Sequence, residues 1–204
     1  MTNITLHHGD LPAGIDFGPM VAIDTEAMGL NPARDNLTVV QLSSGDGTAH
    51  VVQLERSYDC PNLKALLVDP KTIKLFHFAR FDVGMISRWM GIECAPIWCT
   101  KIASKLARTY TDRHGLKDVV REIAGVELSK AQQSSDWGAE SLSKAQLEYA
   151  ASDVLYLHDV QRGLQAMLER EGRVTLAQAC FDFLPTRAAL DLAGWSENDI
   201  FAHS

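Results

Sequence analysis

Short apolar runs fill the first half of the chain, and helical spacing takes over in the second. Residues 20–24 (MVAID) are an apolar run ending in an acid, a pattern that predicts a buried strand. Residues 37–42 (LTVVQL) and 48–54 (TAHVVQL) are rich in β-branched side chains, with Ser43-Ser44-Gly45-Asp46-Gly47 as a turn between them, which predicts a hairpin. A short helix is expected over 62–68, stopped by Asp69-Pro70. Ile73–Phe76 reads as a strand, and 81–90 as a helix closed by Gly91. Further on, apolar residues at helical spacing cover 100–108 and 115–124. Ser143-x-x-Gln146 has the capping-box pattern and opens a long helix running to about Gly172, with Leu147, Ala151, Val154, Leu155 and Leu168 on its buried side. Another helix at about 174–182 ends before Pro185. The polar segment 125–142 (GVELSKAQQSSDWGAESL) reads as a loop over a site. Strands first and helices later, with helices between some strands, predict an α/β sandwich around a mixed sheet.

Composition narrows this picture. At 204 residues the chain is expected to form one domain, 1–204, with a core at 20–170 and a helical tail at 171–204. The formal charge of −7 leaves no global basic field to hold long duplex DNA, so any nucleic-acid site must be local. No apolar run approaches the roughly 18 residues of a membrane span, so no membrane partner is expected. The first Lys or Arg is Arg34, which does not suit a signal or transit peptide and makes the cytoplasm the expected location. Cys60, Cys94, Cys99 and Cys180 form no Cys-x-x-Cys pair and read as reduced thiols rather than a disulfide frame or zinc site.

Three features carry candidate chemistry. In Asp24-Thr25-Glu26, alternation puts both acids on one side of an extended chain, about 7 Å apart, a spacing that suits shared hard cations. In Phe76-His77-Phe78-Ala79-Arg80-Phe81-Asp82 a strand gives way to a helix, with Asp82 in the first helical turn. In Tyr149-Ala-Ala-Ser-Asp153 the phenol and the carboxylate share a helical face. Each has an ordinary structural explanation when taken alone: a solvated strand end, an acid on a helix dipole with a core histidine beside it, an amphipathic face. Together, four carboxylates carry −4, which two divalent cations would neutralise. Oxygen-only ligands suit Mg²⁺ or Mn²⁺ rather than Zn²⁺.

The stretches VAIDTEAMGLNP, KLFHFARFDVGMI, HGLKDVVREIAGVELSKAQQSSDW and LSKAQLEYAASDVLYL occur in that order between about Val21 and Leu157. On these motifs the chain resembles the ribonuclease D group of 3′→5′ exonucleases, whose signature is Asp-Glu-Asp-Asp plus a tyrosine. The resemblance implies a ribonuclease H-like sandwich. It implies two divalent cations, Mg²⁺ or Mn²⁺, on Asp24, Glu26, Asp82 and Asp153, with Tyr149 as the catalytic phenol. Only 51 residues follow Asp153, too few for the helical nucleic-acid-binding domains of the longer members. With CTKIASKLARTYTDRHGLK and the tail FLPTRAALDLAGWSENDIFAHS, the chain is similar to the short stand-alone members. That likeness implies cleavage of very short RNA, above all dinucleotides, to 5′-mononucleotides, and a ring-shaped homo-oligomer, an octamer.

Substrate contacts remain open at this point. Leu30 is either an apolar wedge between two bases or a core leucine, and Phe78, Phe81 or Trp137 is either a base platform or core. Over 101–121, six Lys and Arg (Lys101, Lys105, Arg108, Arg113, Lys117 and Arg121) face two acids, Asp112 and Asp118, with Tyr110 and His114 among them. This is either a solvated helix face or a cap on the 5′-phosphate that closes the far end of the site. His77 is the remaining candidate for substrate contact. Two rival functions stand beside this one: a general 3′-5′ exonuclease on longer RNA or DNA, and a catalytically dead RNA-binding scaffold.

Overall fold

The computed structural model describes residues 3–129 and 131–203; Lys130, inside the polar segment, and the outermost residues of the 1–204 span lie outside them. Six strands form one mixed sheet in the order β1-β4-β3-β2-β5-β6. They are β1 (Asn3–His8), β2 (Met20–Ala27), β3 (Leu37–Ser43), β4 (Thr48–Gln53), β5 (Ile73–Phe76) and β6 (Ile97–Cys99). β2 pairs antiparallel with β3 and parallel with β5, so it lies in the interior of the sheet. Val21, Ala22 and Ile23 are accordingly fully buried, which explains why this strand reads as a continuous apolar run. The expected β3–β4 hairpin is present and antiparallel. The sandwich is the ribonuclease H-like arrangement expected from the resemblance, with helices on both faces of a mixed sheet.

The helices are α1 (Pro61–Val68), α2 (Ala79–Met90), α3 (Thr100–Ala107), α4 (Leu116–Ala124), α5 (Lys144–Leu155), α6 (Leu157–Arg170), α7 (Val174–Asp182) and α8 (Leu184–Leu190), followed by a widened turn at Asp191–Trp195. Ser143 caps α5 as its sequence predicts: its Oγ accepts from the Gln146 N–H, and the Gln146 side chain accepts from the Ser143 N–H. Period-2 alternation in β3 and β4 points Val39 and Val51 at α5, where they meet Ala150, Leu142 and Trp137. The alternate residues Val40, Leu42 and Val52 enter the main core on the other face.

Several expectations need correction. The helix expected to run from 143 to 172 is two helices, broken at Tyr156 (φ −104°, ψ −1°). No Pro or Gly marks the break; α5 packs on the sheet while α6 turns to α3 and α4, and tertiary packing decides it. Strands β1 and β6 were not foreseen. β1 (NITLHH) carries only two apolar residues, Ile4 and Leu6, and is held by its pairing with β4, and β6 has only three residues. The helix expected over 174–182 is α7 and ends before Pro185; what the sequence did not show is the further helix α8, with Pro185 in its first turn, where its missing N–H costs nothing. In the tail, Trp195 and Phe201 stay 46% and 76% exposed, and the Phe201 ring rests 6.0 Å from that of Phe183 without entering the core. The tail is tied to α2 instead, because Asp191 accepts from Arg80 at 2.5 and 2.8 Å and from Arg187 at 2.6 and 3.0 Å.

The basic stretch is also less open than its composition suggests. Arg108 is buried, pairs with Glu122, and donates to Ser104 Oγ (2.8 Å) and the Arg113 carbonyl (2.7 Å). Arg121 pairs with Asp118 and Glu127. These two charges hold the α3–α4 connection together rather than face a substrate. Replacing Arg108 by Ala strands the Arg113 carbonyl, leaves Ser104 Oγ with His114 alone and empties a buried site, and should cost about 2–3 kcal/mol in urea unfolding. Because Glu122 is half open to water, its leftover charge adds little to that cost.

Candidate active site

The end of β2 sets the geometry. Asp24 and Glu26 alternate onto the sheet face that α5 covers, and Thr25 points the other way. Asp24 lies opposite Gln41 in the β2–β3 register, and a bulge between Glu26 and Ala27 ends the regular pairing. From α5, Asp153 reaches the two acids, and carboxylate oxygens of Asp24, Glu26 and Asp153 lie within 4.8 Å of one another. Asp82 is not part of that trio. It is buried in the first turn of α2, where the Thr25 hydroxyl donates to its Oδ1 at 2.6 Å, and it still raises the pKa of Glu26. So the structure brings all four acids to one place, three sharing a focus and the fourth held alongside by Thr25.

Mutual repulsion and burial dominate the electrostatics. Burial pushes the Asp24 carboxyl up to about 7, against the pull of the Thr25 backbone N–H. Burial and then Asp24 push Asp153 up to about 8. Burial, followed by Asp24, Asp153 and Asp82, pushes Glu26 up to about 10. Asp82 is also raised well above the usual range, by burial and then by Asp24. Oxygen-only donors converging at this spacing, each penalised for its charge, fit hard divalent cations, whose positive charge removes the penalty. The Tyr149 phenol stands among the same acids, and burial followed by Asp153, Glu26 and Asp24 drives its pKa far above the ordinary tyrosine value.

Sequence reasoning missed two supporting residues. Gln41 is fully buried on β3, and its Nε2 donates to Asp24 (3.3 Å) and Glu26 (3.5 Å), a neutral donor set under two carboxylates. Thr25 pins Asp82. The only sequence signal for either was position: Thr25 sits between the two acids, and Gln41 breaks the apolar run LTVVQL.

A cavity of about 660 Å³ opens over the acids. Of the expected substrate contacts, Leu30, His77 and Phe81 line it, as do Phe78 and Trp137. Leu30 is 87% exposed, which removes the core-leucine alternative. Trp137 is buried against Val39, Val51 and Leu142, with its ring 6.0 Å from that of Tyr149, so it backs the phenol. Tyr110, Arg113 and His114 are not among the lining residues. His114 pairs with Ser104 Oγ, and the Tyr110 hydroxyl bonds Glu122. Among the described residues, the lysines that line the cavity are Lys101 and Lys117. The polar segment contributes Leu128, Ser129, Gln133, Ser134 and Ser135, and so does overlie the site as expected.

Comparison with known proteins bears directly on this arrangement. Residues 12–169 match the family described as 3′-5′ exonuclease. Ribonuclease D of Acidiphilium cryptum is 37% identical over 156 residues, which is 76% of this chain and 40% of that protein. DNA polymerase I of Aquifex aeolicus is 32% identical over 154 residues, 76% of this chain and 25% of the other. The chain thus spans about 40% of the length of the ribonucleases D that it matches. Among solved structures, Brucella melitensis NrnC with bound Mg²⁺ is 56% identical, with a TM-score of 0.95 over 99% of this chain and all of that one. NrnC bound to pGG gives the same identity and TM-score over the full length of both chains. Escherichia coli RNase D superposes with a TM-score of 0.72 at 28% identity, over 83% of this chain and 45% of the other. The acids in their order, the sheet that carries them and the sequence around them agree: the chain belongs to the 3′-5′ exonuclease family, in the ribonuclease D-like group with NrnC.

Proposed function

We propose that this exonuclease hydrolyses very short RNA, preferentially diribonucleotides, to 5′-mononucleotides by two-metal-ion catalysis. The observation that carries the proposal is a single cavity, of a size typical for small-ligand sites, with clustered acids at its floor and an exposed Leu30, aromatics and two lysines around it. The full-length likeness to NrnC bound to pGG supports the same substrate class.

Asp24, Glu26, Asp153 and Asp82 would hold the cations, Mg²⁺ or Mn²⁺. When bound, the ions supply Lewis-acid activation of water and charge neutralisation at the phosphodiester and the leaving 3′-oxygen. The chain's own groups do the rest. Tyr149 keeps its proton at neutral pH, so its phenol orients the attacking water as a hydrogen-bond partner and does not act as a base. Leu30 separates the two bases, and Phe78 and Phe81 offer apolar ring faces. Lys101 and Lys117 supply positive charge for the 5′-phosphate, in place of Arg113, His114 and Tyr110. The reading extends to one domain over 1–204, a homo-oligomer (an octameric ring) and a cytoplasmic setting. Among the described residues no helix is long and apolar enough to cross a membrane.

A series of 5′-labelled RNAs from two to seven nucleotides, run with Mg²⁺, Mn²⁺ and EDTA, tests the proposal. The expected result is metal-dependent release of mononucleotides with an abrupt preference for the 2-mer. A flat profile would favour the general exonuclease on longer RNA or DNA, and metal-independent binding without release would favour the scaffold. Leu30→Ala should cost the 2-mer about tenfold in kcat/KM, the scale of one lost base contact of about 1–3 kcal/mol, with no loss of stability at so exposed a position.

A further inference from the structure

We propose that His77 is a fixed hydrogen-bond acceptor for a 2′-hydroxyl of the substrate, and that the site favours RNA over DNA through it. The inference rests on reading the cavity over the acids as the nucleotide site.

The argument begins one residue away from the substrate. His77 follows β5 and lines the cavity, and its Nδ1 lies 2.8 Å from Thr100 Oγ1. Thr100 is fully buried at the start of α3, and its hydroxyl donates to the Phe76 carbonyl at 3.1 Å. A threonine hydroxyl has one hydrogen. With that hydrogen spent on Phe76, Thr100 offers His77 a lone pair, so Nδ1 carries the imidazole proton and Nε2 keeps its own lone pair. Nε2 is buried and has no partner of good hydrogen-bond geometry among the described residues, although the His114 carbonyl lies close to the ring. A buried acceptor left unpaired is costly, and in a binding cavity the substrate is the natural source of its partner.

The ring is also kept neutral. Burial, followed by the Lys101 ammonium, holds its pKa down to about 3, and the His114 carbonyl nearby is the one influence in the other direction. A neutral acceptor does not attract a phosphate. That task falls to Lys101, whose Nζ sits 4.1 Å from the centre of the Phe78 ring, and to Lys117. The ammonium beside His77 marks the phosphate side of the cavity, and the donor that lies next to a phosphodiester in RNA is the ribose 2′-hydroxyl. DNA has no donor there. Thr100 is then a positioning residue: it touches no substrate, yet it decides which ring nitrogen carries the proton.

The test compares kcat/KM on ribo and 2′-deoxy substrates, as 2-mers and as 7-mers, for the parent protein, His77→Phe, Thr100→Val and Thr100→Ser. Single-site 2′-deoxy 2-mers locate the hydroxyl, and a 3′-deoxy 2-mer checks the terminal one. The parent should prefer ribose by about tenfold, the scale of one hydrogen bond whose loss leaves a buried partner unpaired. That preference should fall towards unity in His77→Phe and Thr100→Val and persist in Thr100→Ser, which keeps the hydroxyl. Ring ¹⁵N shifts of the metal-free parent should show a protonated Nδ1 and an unprotonated Nε2. An unchanged ribose preference in both His77→Phe and Thr100→Val, discrimination against the 3′-deoxy substrate alone, or a hydrogen on Nε2 directed at the His114 carbonyl would each overturn the proposal. If His77→Phe does not fold, the Thr100 pair and the ring shifts still decide. A flat length profile would remove the dinucleotide reading without touching the ribose ratio, so the two failures are distinguishable.

Discussion

Asp24→Asn should lose turnover by about a thousandfold or more while melting no lower than the parent protein in EDTA. The two halves of this result have the same physical cause. Asp24 lies at the centre of the acid cluster: it raises the pKa of Glu26, Asp153 and Asp82. The amide keeps the shape but removes one charge from the cation site and weakens the remaining ligand set. Metal-ion catalysis supplies several kcal/mol of transition-state stabilisation, and about 4 kcal/mol corresponds to a thousandfold in rate. In the metal-free protein the same change removes a repelled, poorly solvated charge, so stability should hold or rise. Single-turnover rates with Mg²⁺, set beside thermal melts in EDTA, check both halves. A normal rate would remove Asp24 from the mechanism. A much lower melting temperature would mean that Asp24 holds the fold together and that the lost rate reports unfolding.

Legibility in the sequence followed periodicity and ended where packing took over. β2 was legible because an interior strand, buried on both faces, must be apolar throughout. The capping box of α5 was legible because Ser143 and Gln146 satisfy each other's backbone locally. The break at Tyr156 was not, since nothing in LEYAASDVLYLHD disfavours a helix and the turn is dictated by what α5 and α6 each pack against. The acids could be named from their order along the chain, and the structure places them together. What spacing could not reveal was the support beneath them: Gln41 reaches Asp24 and Glu26 only through the β2–β3 register, and Thr25 reaches Asp82 only through the packing of α2 on β2. The basic run at 101–121 misled for the same reason. Charge counted along the chain ignored Glu122, which pairs with Arg108, and Glu127, which pairs with both Arg121 and Lys117; among the described residues Lys101 is the cavity lysine that no acid pairs.

The metal-free protein should lose stability as pH rises from 7 to 9, and divalent cations should reverse the trend. A carboxyl whose pKa is higher in the folded state than in the unfolded one binds its proton more tightly when folded. Its favourable contribution is complete below the unfolded value near 4 and is lost as pH climbs through the folded value. For this cluster that loss extends through about 7 for Asp24, 8 for Asp153 and 10 for Glu26. The histidines push the opposite way at lower pH, because His7, His50, His77 and His158 are all held below their ordinary value and favour folding as they become neutral. Above pH 7 that contribution is spent, and the carboxylates set the slope. In EDTA the unfolding midpoint should therefore fall by about 5 °C or more between pH 7 and pH 9, since about 1 kcal/mol moves a domain of this size by about 2–4 °C. Asp24→Asn, with one acid fewer and weaker coupling among the rest, should show a shallower fall. Cations bind the deprotonated cluster, so saturating Mg²⁺ or Mn²⁺ should raise the midpoint more at pH 9 than at pH 7, by roughly the stabilisation of a ligand at a hundred times its Kd, about 2.7 kcal/mol. A midpoint in EDTA that stays level or rises across this range would mean that the four acids do not share their charge as the geometry requires, and that the cation site is not where they meet.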